Sequence, residues 1–177
     1  MAKTIQLLTT EESVKMLAVL DDNIAANYLR AAIMEAQEVG LRDIIGGALL
    51  DALKERTAAN TLTGAYLTLV EDYAQFYLAY KCRAELLGKV AYKVGNAGVV
   101  KTSDEHLTPA TAGEIEAVQA EAQAKADYYA YRMQRWVCDN AAALPELCES
   151  DAAQIRANLR SAATCNLWLG GPGGERL

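Results

Sequence analysis

The sequence predicts a mainly all-α fold: a bundle of about four to five helices, a β-hairpin inserted between the two longest, and an extended C-terminal arm. Three observations predict it. Hydrophobic residues make up 52% of the 177, and much of that share is alanine, which favours helix but buries little area per side chain. Proline occurs three times, twice at Pro145 or beyond, so a long stretch is free of helix breakers. Along that stretch apolar residues recur at helical spacing, with one alternating interruption. Only one Phe and two Trp occur, so nine Tyr and many Leu supply the bulk.

The elements follow in order. Thr9-Thr10-Glu11-Glu12 caps a short helix running to about Leu20, with Val14, Leu17 and Ala18 on one face. Asp21-Asp22-Asn23 breaks it and offers a fresh cap to a second helix from Ile24 to Val39, whose stripe includes Tyr28, Leu29, Ala32, Ile33 and Ala36. Gly40 ends or sharply bends that helix. A third carries Ile44, Ile45, Leu49 and Leu53, with Gly46-Gly47 inside it. Each of these glycines costs about 1 kcal/mol in a helix interior. The pair therefore marks either a break or the close approach of a neighbouring helix. Lys54 to Leu62 is polar and reads as a loop.

A long helix spans about Thr63 to Leu87, with Leu67, Val70, Ala74, Tyr77, Leu78 and Cys82 as its stripe and Gly88 as its stop. Tyr66, Tyr73 and Tyr80 flank that stripe, where an amphipathic ring suits core or partner. Val90 to Val94 then alternates, Gly95-Asn96-Ala97-Gly98 has turn chemistry, and Val99 to Thr102 resumes, so a hairpin falls at about 89–103. An isolated hairpin is marginal in water and needs packing or edge pairing. Thr111-Ala112-Gly113-Glu114 is a capping box for a long helix to about Ala143, with Ile115, Val118, Ala122, Tyr129, Met133, Trp136 and Val137 on one side and Pro145 beyond. Asp151 to Leu159 is long enough for one more short helix. The organisation is a helical domain over residues 1–150 and an arm over 151–177, where Leu167, Trp168 and Leu169 precede a glycine-rich tail.

The residues assemble no active site. The single histidine, His106, lies beside Asp104 and Glu105 in a polar stretch that reads as solvated, and one histidine cannot supply the two E-x-x-H motifs of a carboxylate di-metal bundle. Cys82, Cys138, Cys148 and Cys165 lack zinc spacing and read as reduced thiols. The glycine run at 170–174 has no following Lys-Ser/Thr, and no G-x-S-x-G occurs. No catalytic residue, metal or cofactor is expected. Tyr73, Tyr77, Tyr80, Tyr128, Tyr129 and Tyr131 suit core and subunit contacts; a Tyr-lined ligand pocket in a regulatory module is the alternative.

The net charge of −6, with no Lys/Arg cluster, argues against DNA as a tightly held ligand. It does not oppose DNA in transit. The N-terminus lacks an apolar signal core and no run approaches a membrane span, so the expected setting is a cytoplasm, without a membrane partner.

Several strings, in order, resemble the head–tail connector (adaptor) proteins of tailed phages and prophages, in the version found in phages of gut bacteria. They are Leu20-Asp21-Asp22-Asn23, Ile33 to Glu38, Ile44 to Leu53, Lys93 to Val100, and the helix ending near Asn140 followed by Leu144-Pro145-Glu146. Together they cover about residues 10–148. The pattern usually has one glycine and a bulky aromatic where this chain has Gly46-Gly47 and Leu50, and the last thirty or so residues match no part of it.

The resemblance implies a structural virion protein of the neck, made in the host cytoplasm. Its copies would form a ring, commonly a dodecamer, between the portal protein and tail or further neck proteins, with DNA only as transient cargo in the lumen. Such rings need two unlike patches per subunit. The candidate interface residues are Tyr92, Val94, Asn96, Gly98, Val99 and Val100 of the hairpin, with Leu167, Trp168 and Leu169 of the arm.

Overall fold

The computed structural model describes residues 6–95, 98–101, 111–147, 154–157 and 159, with side chains for 6–87, 111–147, 154–157 and 159. The chain is mostly helical. Helix α1 (Glu11–Ala18) starts at Thr10, whose hydroxyl accepts from the Ser13 N–H, and buries Val14 and Ala18. Asp21 does not cap the second helix. Its carboxylate accepts from the Asn23 N–H, closing a local turn, and α2 (Ala26–Glu35) begins without a side-chain cap.

Gly40 does not end the helical path. The chain widens into a π turn over Ala36–Leu41 and continues as α3 (Arg42–Ile45). The break falls at Gly46, with φ at 85°, and α4 (Gly47–Ala58) starts there. The glycine pair is therefore a break. α4 also runs through residues expected as a polar loop, because distant partners satisfy its polar face: Lys54 reaches Glu38 at 2.8 Å and Arg56 reaches Glu146 at 2.9 Å.

Helix α5 (Gly64–Thr68), a second π turn (Leu69–Ala74) and α6 (Gln75–Ala91) make one long helical path. The π turn adds a residue to the local repeat and shifts its phase. Leu67, expected in the buried stripe, is therefore exposed, while Leu69 and Val70 are buried. α6 passes through Gly88 instead of stopping there. Its buried Ala84 and Leu86 give that last stretch packing that outweighs one glycine's helix penalty.

Strands β1 (Tyr92–Gly95) and β2 (Gly98–Lys101) pair antiparallel, with Tyr92 opposite Lys101 and Val94 opposite Val99. Among the described residues, β1 also contacts the end of α6. Helix α7 (Ala112–Asp139) opens on a complete capping box between Thr111 and Glu114. It gives way to a 3₁₀ turn (Ala141–Ala143) rather than continuing as α-helix to 143. Val118, expected on its packed side, is exposed, and Ala126 is buried instead.

The α6–α7 pair forms the spine of the main core, which holds Leu41, Ile45, Leu49, Leu53, Leu78 and Met133. A smaller cluster of Val14, Leu29, Ile33, Cys82 and Leu86 seats α1 and α2 on α6. Residues 154–157 are helical, with Ile155 buried in the main core. Cys82 is buried and Cys138 half-buried; Cys148, Cys165 and His106 lie outside the described residues.

Candidate functional site

The tyrosines expected on flanking faces pack largely on one another. Phe76 and Tyr80 of α6 stack on Tyr129 of α7 with ring centroids 5.2 and 5.6 Å apart, and Tyr73 meets Trp136 at 5.4 Å. The Arg132 guanidinium covers Tyr73 at 5.6 Å. Pairs at these separations attract beyond their buried area. These side chains cement α7 to α6 and to the π turn before it.

Tyr77 stands apart. It lies at the floor of an open groove of about 360 Å³ between the first π turn with α3 on one side and α6 with α7 on the other. The space for its hydroxyl exists because residue 40 is glycine, since a Cβ there would overlap the Tyr77 oxygen. Only 4% of Tyr77 is exposed, yet its hydroxyl has no hydrogen-bond partner among the described residues. The hydroxyl is not sealed from solvent: it opens on the groove, where an incoming polar group can meet it.

Acidic side chains surround that hydroxyl. Asp43 of α3, Glu85 of α6 and Asp127 of α7 line the groove, with Lys81 as the cation. Lys81 is taken up by Glu85 at 3.0 Å and by the Gln123 carbonyl at 2.9 Å, while the Gln123 amide donates to Asp127 at 2.7 Å. Asp43 and Asp127 make no ion pair among the described residues. Burial pushes the Tyr77 phenol well above its usual range, and Asp127, Glu85 and Asp43 push it the same way. It stays a neutral hydroxyl, able to donate and to accept. A neutral hydroxyl beneath uncompensated carboxylates suits a cationic group bearing several N–H donors.

No group of three or more His, Cys, Asp or Glu side chains among the described residues is placed to hold a metal ion, and no described helix is long and apolar enough to cross a membrane. Residues 41–157 match the model of a family of unknown function, DUF6712. The chain belongs to this family. The DUF6712 match takes in the break at Gly46, the whole α6–α7 spine and the two strands, while α1 and α2 precede it. No curated protein and no solved structure matches the chain.

Of the residues expected at an interface, Tyr92 and Val94 lie on β1, and Gly98, Val99 and Val100 on β2. Asn96, Leu167, Trp168 and Leu169 lie outside the described residues. The groove was missed by sequence reasoning. Its trace in the chain is the Tyr77, Lys81, Glu85 series at successive helical turns, together with a glycine at position 40. Nothing local to either segment says that they face each other.

Proposed function

We propose that this DUF6712 chain is a non-catalytic structural subunit of a phage virion: a head–tail connector whose copies form a ring between portal and tail, through which DNA passes. One observation carries this reading beyond the ordered strings. The chain runs from α6 directly into two strands that pair antiparallel with each other. Two strands alone are marginal in water, and edge pairing with a second chain supplies contacts of the kind they need. A patch completed by an unlike patch on another copy generates a ring when the rotation closes. The acidic balance of −6 fits a passage that does not hold DNA as it moves. The Tyr-lined pocket reading loses ground because those rings stack on one another.

The test is to image the purified chain by negative stain and weigh it by native mass spectrometry, alone and with the portal protein of the same phage or prophage. The expected result is rings, commonly twelvefold, formed spontaneously or on the portal. A chain that stays monomeric and ignores both portal and tail proteins overturns the reading.

A further inference from the structure

We propose that the groove over Tyr77 is the socket for the hairpin of a second copy of this chain, whose lysines meet Asp43 and Asp127 while its polar groups reach the Tyr77 hydroxyl. The inference rests on the ring reading and says where its two unlike patches are. Charge selects the occupant. Between Glu85 and Asp104 the chain carries Lys89, Lys93 and Lys101 and no acidic residue, so a net-acidic protein presents one basic element. Among the described residues, the groove offers two carboxylates without an ion pair and a hydroxyl without a hydrogen-bond partner. Each side supplies what the other lacks.

Geometry selects a second copy over the chain's own hairpin. Tyr77 and Ala91 lie on the same helix, α6. At the helical rise, the start of β1 is roughly 22 Å from Tyr77 along that axis. A four-residue strand spans only about 13 Å. The chain's own strands therefore fall short of Tyr77 while α6 stays helical, whereas a neighbour's hairpin can enter over it. Socket in mid-helix and plug at the helix end form a heterologous contact, which leaves a bound pair with one socket and one plug still to offer.

The experiment is a charge-swap cycle on the full chain, read by native mass and sedimentation, with circular dichroism as the control for folding. K93E/K101E and D43K/D127K should each weaken assembly by about tenfold or more, and the quadruple variant should recover most of the loss. Asp43 and Asp127 are both exposed, so the swaps burden the fold little. Tyr77→Phe reports independently. Its hydroxyl opens on the groove and has no partner among the described residues, so the isolated subunit should melt at an unchanged temperature while assembly weakens by about fivefold. Rings that form normally in all of these variants overturn the socket and leave the ring reading standing. A wild-type chain that never assembles, alone or on a portal, overturns both. Loss of helix in D43K/D127K leaves K93E/K101E and Tyr77→Phe to decide.

Discussion

Val19 holds a left-handed backbone, with φ at 52°, at the end of α1. A β-branched residue is strained there, at about 1–2 kcal/mol, because its Cβ crowds the following carbonyl. With 81% of the residue exposed, its side chain recovers almost nothing by burial. Val19→Gly should therefore stabilise the chain by about 1 kcal/mol in urea denaturation, less the added freedom of glycine in the unfolded state. A lower midpoint would mean that the valine side chain stabilises α1 in a way its exposure hides. Gln37 is the opposite case, a polar residue at 0% exposure with both ends of its amide used. It accepts from the Leu8 N–H and donates to the Gln6 carbonyl, each at 2.9 Å, and so ties the N-terminal segment to the first π turn. Beside it, burial pushes the Glu38 carboxyl up, but hydrogen bonds from Lys54, Gln37 and Arg42 outweigh this and hold it below its ordinary value.

Helical elements far apart in sequence are joined by single polar contacts, and the strongest case is the pin at Glu146. Its carboxylate accepts from the Tyr66 hydroxyl and, at 2.9 Å, from Arg56, which also lies 4.0 Å over the Tyr66 ring. The pin ties α4 and α5 to the turn that follows α7. The hydrogen bond from Tyr66 and the Arg56 guanidinium hold the Glu146 carboxyl below its usual 4.5. A carboxyl depressed on folding contributes stability that is complete above its unfolded value and is lost as pH falls through the folded one. Glu146→Gln should therefore melt below wild type at about pH 7, and the gap should close towards about pH 3. A gap of the same size at both pH values would mean that shape, not charge, makes the contact. Pro145-Glu146 is legible in the sequence as the close of a helix. That Glu146 meets a residue 90 positions earlier is not, since nothing near either end encodes the meeting.

For the whole molecule, the arm can be tested against the body. Residues 160–177 lie outside the described residues, and Met133, Val137, Leu144 and Ile155 belong to the main core. Deleting residues 164–177 should leave helical circular dichroism and the melting temperature unchanged while weakening assembly. A loss of helix on truncation would place Leu167, Trp168 and Leu169 in the fold of the subunit instead.

The sequence by itself determined the helical class, the capping box at Thr111 and Glu114, and the flanking positions of Tyr66, Tyr73 and Tyr80. Each is written within a few residues, where periodicity, side-chain caps and local charge act. Tertiary structure alone decided the two π turns, the placing of Gly40 against Tyr77, the groove lined by Asp43 and Asp127, and the pin at Glu146. A π turn changes the phase of every residue after it, and a glycine shows which neighbour it admits only when that neighbour arrives. Those outcomes depend on how whole helices pack, which no window of a few residues encodes.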